Sequence, residues 1–299
     1  MNQWPAHTTD AVLTGAEWIW KPLVYSSAYI AVIAALEVVM VLLLLDLPAN
    51  PAPVIVGCVT FTIYVNDRIV DADVDVAATP GRTAFVRRHS RTLSGLAAVS
   101  YGLAVTLAVY GGPGVLGLTL FPFIVWVLYA VDWAPANAIP FKRLKELLIV
   151  NSTLVAVAWA ATVVLLPVVY VGATITPAVA VLLVYFAIGT FIGAEIANVG
   201  DVEADRDGNV ATLPSTVGVH TTRGILYGVG LAGMAILGLA LAGGYFGIWA
   251  ILSLAVGLTC MLGVVALLGR VDDPELLTIG GEFARLPVLV LLLVPGTIA

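Results

Sequence analysis

Asp67, Asp71 and Asp75 fall four residues apart, and Asp201 and Asp205 repeat the interval later in the chain. On a helix this spacing stacks the carboxylates on one face, roughly 6 Å apart along the axis. Stacked carboxylates repel one another. Beside a bilayer that penalty grows, so a bound cation is the natural compensation. Ligands made only of oxygen suit Mg²⁺, which keeps several waters and bridges to phosphate oxygens. Two such faces set opposite each other would hold a diphosphate between them.

The elements that must position these acids are long apolar stretches, each closed by one acidic set. The 299 residues are 61% hydrophobic and 11% charged, where soluble domains carry about 25% charged residues. A soluble core could not absorb this much apolar surface, so the composition points to an integral membrane protein. Stretches long enough to span occur near 23–46, 51–70, 93–111, 113–131, 147–168, 176–199, 224–243, 246–269 and 280–299. The expected fold is therefore all-α, a bundle of nine transmembrane helices around a central cavity. One domain over 1–299 is expected, with four-helix halves at about 23–131 and 147–269 and a ninth helix at about 280–299. The acids close the second span and the sixth, which suggests two halves of similar plan.

The basic residues set an orientation. All thirteen, Lys21, Arg68, Arg82, Arg87, Arg88, Arg91, Lys142, Arg143, Lys145, Arg206, Arg223, Arg270 and Arg285, fall toward one side of these spans. The positive-inside rule places the N-terminus and both acidic sets in the cytoplasm and the C-terminus outside a multi-pass cell-membrane protein. Residues 1–20 show no basic region ahead of an apolar run, so no cleavable signal is expected. Cys58 and Cys260 lie inside apolar runs, and His7, His89 and His220 are scattered; neither set forms a metal motif. A net charge of −6 leaves nucleic acid out of the expected partners. Asn151 and Glu195 are polar residues inside spans, which makes them candidates for the pocket, with Glu37 a weaker case. Glu195 is expected to shape the pocket or act as a base. Glu282 and Arg285, one turn apart, are expected to pair.

The run Asn198-Val-Gly-Asp201-Val-Glu-Ala-Asp205-Arg-Asp-Gly208, followed by Thr212-Leu-Pro214-Ser and Gly218, resembles the second aspartate-rich motif of the UbiA superfamily of intramembrane prenyltransferases. It looks closest to the branch that includes chlorophyll synthase, homogentisate prenyltransferases and archaeal digeranylgeranylglyceryl phosphate synthase. The likeness extends over the whole chain in span number and motif placement. The first motif departs from the family's Asn-Asp-x-x-Asp-x-x-x-Asp. Aligned on Asp71 and Asp75, Asp67 stands where the family has Asn and Arg68 where it has Asp, although Asn66-Asp67 is present. Of the family's following Asn-x-x-x-Arg-Pro stretch, only Arg82 corresponds.

The resemblance implies Mg²⁺ held by Asp67, Asp71, Asp75, Asp201 and Asp205, with Asn198 beside the second set, binding the diphosphate of an isoprenoid such as geranylgeranyl diphosphate. Arg82, Lys142, Arg143 and Lys145 are candidates to face the departing diphosphate, and Asn66 and Tyr129 join Asn151 and Glu195 as pocket candidates. Tyr64, Trp126, Trp159, Tyr185 and Phe186 are placed where they could offer aromatic faces to carbocation character. The reaction this implies is Mg²⁺-dependent transfer of a polyprenyl group to a hydrophobic acceptor within the bilayer. An intramembrane cyclase using the same ions without an acceptor remains an alternative. So does a transporter or lipid-binding protein, since intramembrane acids also mark ion pathways.

Overall fold

The computed structural model describes residues 20–73, 79–130, 148–207 and 210–294. All regular structure among the described residues is helical. In chain order the helices are α1 (Ala28–Leu44), α2 (Ala52–Val70), α3 (Pro80–Gly111), α4 (Pro113–Ala130), α5 (Leu148–Tyr170) and α6 (Pro177–Asn198). There follow two short helices, α7 (Val202–Asp207) and α8 (Leu213–Val217), then α9 (Val219–Ala242), α10 (Ile248–Leu267), α11 (Pro274–Phe283) and α12 (Leu286–Leu292).

Proline in the first turn starts many of these helices, among them α2, α3, α6, α11 and α12. Its fixed φ suits the first turn, where its missing N–H leaves no bond unmade. The long helices pack in sequence around a ring. α1 meets α2, α2 meets α3, and so on to α6; α6 meets α9, α9 meets α10, α10 meets α12, and α12 returns to α1. The main core runs along the inner faces, through Val38, Val41, Ile55, Val163, Leu182 and Leu254, each at most 1% exposed. The outer faces keep large apolar side chains such as Val99 and Leu239 exposed, as lipid contact requires.

Six helices, α2, α3, α5, α6, α9 and α10, are long and apolar enough to cross a membrane. α1 and α4 are apolar but shorter. The ninth expected span differs most. A single helix at 280–299 is replaced by α11 and α12, which meet at Ala284 and Arg285. Pro287 explains the break, because it lacks the N–H that would continue the ladder and its ring crowds the preceding turn.

Arg285, expected on the basic side, instead enters the bundle from this break. Its Nη1 lies 2.8 Å from Oε1 of Glu37 on α1 and 3.8 Å from Oε2 of Glu282. The expected Glu282–Arg285 pair forms, but the closer partner is Glu37, 248 residues away.

Candidate active site

The acidic end of α2 departs from a continuous helical face. The α-helix stops at Val70, and Asp71–Asp73 form a 3₁₀ turn. The Asp71 N–H still bonds to the Asp67 carbonyl, so these two keep the helical interval, and the tighter turn begins only at Asp71. Asp67 remains in the last turn of α2, where the Trp126 indole of α4 donates to its Oδ1 at 3.2 Å. Asn66 turns back on its own helix and donates its amide to the Thr62 carbonyl at 2.8 Å. Arg87 of α3 donates to the Ala72 carbonyl at 3.3 Å, tying the 3₁₀ turn to the next helix. Asp75 lies outside the described residues.

The acidic end of α6 is built differently. α6 ends at Asn198, and a turn through Val199 and Gly200 brings Asp201 to the start of α7. A Cβ on Gly200 would come within 2.6 Å of Pro274 Cβ, so only glycine lets this turn sit against α11. Asp205 accepts a hydrogen bond from the Thr212 hydroxyl at 2.9 Å. Thr212 caps α8 and shares a capping box with Ser215. Glu195, 1% exposed, accepts from the Leu213 N–H at 3.2 Å and from the Asn198 amide at 3.3 Å, and that amide also reaches Ser152 of α5 at 3.3 Å. Glu195 and Asn198 therefore pin the returning chain to α5 and α6.

Three cavities open between these ends. A polar mouth of about 290 Å³ is lined by Arg68, Arg82, Asp201, Asp273, Glu275 and Tyr29, among others. Pro80 and Gly81 also line it, so the N-terminus of α3 opens on the mouth, where a helix end favours negative charge. Arg68, Ala197 and Thr278 are shared with an inner chamber of about 110 Å³, which reaches down to Glu37, Glu282 and Arg285. Tyr64, Val155 and Trp159 are shared in turn with an apolar groove of about 200 Å³, bounded by Ile63, Pro122, Val125, Trp126 and Ala158 and reaching Asp67. A charged mouth, a small chamber and a greasy groove thus adjoin.

The sequence profile of the UbiA prenyltransferase family matches residues 52–277. The chain belongs to the UbiA prenyltransferase family.

Two solved structures agree in fold. A UbiA homolog from Aeropyrum pernix K1 superposes with a TM-score of 0.65 at 16% identity, over 88% of this chain and 97% of that one. A structure described as giving insights into digeranylgeranylglyceryl phosphate synthase in membranes superposes at 0.60 and 16% identity, over 94% of this chain and 99% of that one. No curated protein matches the sequence significantly.

Against the UbiA motifs, the structure brings Arg68, Arg82 and Asp201 to one mouth, while Asp67 faces the adjoining groove. Lys142, Arg143 and Lys145 lie outside the described residues. Tyr129 and Asn151 sit on α4 and α5, at the acid-bearing end. The α6 side chains on the chamber wall are Thr190, Ala194 and Ala197, with Gly193 among them, whereas Glu195 and Asn198 bond to α5 and the returning loop. Among the described residues no three acidic, histidine or cysteine side chains converge into a metal cage. The donor set nevertheless fits Mg²⁺, since it is carboxylate only and Mg²⁺ is commonly held by one or two carboxylates with substrate phosphates completing its shell. Sequence reasoning missed Asp273 and Glu275 at the mouth, Thr190 in the chamber and the Glu37–Arg285 pair. Asp273 and Glu275 stand beside Pro274, a helix-start pattern that could have drawn notice.

Proposed function

We propose that this UbiA protein transfers a polyprenyl group from an isoprenoid diphosphate to a hydrophobic acceptor inside the bilayer, with Mg²⁺ required. The observation that carries this reading is the continuity of the charged mouth with the chamber and the apolar groove. Asp67, Asp71, Asp201 and Asp205 are the described residues that would hold Mg²⁺, with Asp75 completing the first set. When bound, the ion neutralises charge on the diphosphate.

Arg68 and Arg82 face the diphosphate from the mouth, and the α3 N-terminus adds a favourable field. Transfer breaks the bond between the allylic carbon and the diphosphate oxygen, and the electron pair leaves on the diphosphate. The apolar groove takes the isoprenoid tail. Tyr64 and Trp159, ring centroids 6.4 Å apart and edge to face, set π-systems where positive charge develops on the allylic carbon. The mouth opens to the cytoplasm, by the positive-inside rule.

The test is incubation of the purified protein with geranylgeranyl diphosphate, with and without Mg²⁺, and with and without a membrane-lipid extract. Pyrophosphate release is followed and the lipids are weighed by mass spectrometry. Mg²⁺-dependent release that needs the extract, with acceptor mass gained by one polyprenyl group, is expected. A terpene hydrocarbon or alcohol formed without extract would move the assignment to a cyclase. No release in any arm would overturn the reading.

A further inference from the structure

We infer that the inner chamber receives the acceptor's headgroup and selects a neutral hydroxyl over a carboxylate. The word acceptor rests on the transferase reading; the chamber's preference does not.

The deep wall of the chamber carries two carboxylates and one guanidinium. Arg285 Nη1 reaches Glu37 at 2.8 Å and Glu282 at 3.8 Å, and Nη2 donates to the Gly189 carbonyl at 3.3 Å. Glu37 is 0% exposed, and its second oxygen accepts from the Trp159 indole at 3.1 Å. The guanidinium has a built seat: a Cβ on Gly193 would come within 2.6 Å of Nη2. Arg285 is thus already engaged by protein oxygens, and two carboxyl groups share its one guanidinium. Arg68 also lines the chamber, but at the end it shares with the mouth.

On the deep wall, Thr190 and Arg285 each keep a polar atom that makes no hydrogen bond. Thr190 is 9% exposed and its Oγ1 has no partner, and Arg285 Nε has none either. Buried polar atoms are ordinarily satisfied, so both invite a ligand oxygen. A hydroxyl answers this site: its proton can go to the Glu282 carboxylate while its oxygen accepts from Arg285 Nε or Thr190. A carboxylate adds a negative charge beside two carboxyl groups that share one guanidinium. At low local dielectric that repulsion is large.

The test uses two probes of similar shape, 4-methylbenzyl alcohol and 4-methylbenzoate, on the full chain in detergent without diphosphate. Binding is read from the indole fluorescence of Trp159 on the chamber wall, with Trp159→Phe identifying the signal. The alcohol should bind at least about tenfold tighter than the benzoate, given the low-dielectric repulsion. Glu282→Gln should shrink that gap to about threefold or less by removing one of the two carboxyl groups. Thr190→Val, which keeps shape and adds no charge, should weaken the alcohol about threefold and leave benzoate exclusion intact. Benzoate binding as tightly as the alcohol in the unaltered protein overturns the inference. These outcomes hold whether or not prenyl transfer is detected, so a failure here and a failure of the transferase reading are told apart.

Discussion

The acidic ends of α2 and α6 carry similar residues in unlike settings. At α6, Asp205, Thr212, Ser215, Glu195, Asn198 and Ser152 form a linked set of hydrogen bonds that fixes the chain on both sides of Asp201. At α2, Asp67 accepts an indole bond from α4, and the helix passes at once into a tighter 3₁₀ turn. The α6 end is therefore organised before any ligand arrives, while Asp67 at the α2 end leans on a neighbouring helix. At α6, Asp201 faces the mouth, and Asp205 accepts from Thr212 in the returning loop.

The largest effect should come from the acids proposed to hold the ion. Asp201→Ala and Asp71→Ala should each lower turnover at least about 10²-fold, by removing transition-state charge stabilisation. Asp201 is exposed and Asp71 only half-buried, so helical content by circular dichroism should stay unchanged. Full activity in either variant breaks the two-ended reading.

Glu195 separates the two ends more finely. Glu195→Ala leaves the Leu213 N–H and the Asn198 amide without their acceptor, a loss of about 1–3 kcal/mol. Thermal unfolding in detergent should show it. Glu195→Gln keeps an amide oxygen for Leu213 and should retain most activity. Loss of activity with unchanged stability in the Gln variant would instead make Glu195 a base.

Trp126→Phe keeps the ring and removes the donor to Asp67. The expected effect is a rise of about three- to tenfold in the Mg²⁺ concentration for half-maximal activity, from a hydrogen bond worth roughly 0.5–1.5 kcal/mol. No change would show that the α2 end needs no support from α4. Smallest of all, Asn66→Ala should leave turnover within about twofold, since its amide bonds only its own helix.

Hydropathy made the bundle legible, because spans must be long and apolar. The acids were legible because stacked carboxylates in such a chain demand an explanation. Pro287 was in view, yet a count of apolar residues ran straight through it to 299. The 3₁₀ turn at Asp71 left no comparable mark. Gly193 looked like any helical glycine until Arg285 was seen against it. The Glu37–Arg285 pair joins positions 248 apart, and no local pattern encodes such a distance. Lone charges in apolar runs were the only hint, and they name no partner.

That pair also bears on the order of assembly. An arginine at the centre of an inserting helix costs roughly 2.5–3.5 kcal/mol at the translocon. The segment carrying Arg285 emerges after the other helices of the ring and finds its counter-ion on α1, which was made first. The barrel of helices can latch only when late chain meets early chain, so a nascent protein cut short before Arg285 would stand in the lipid with Glu37 uncompensated and its seam open.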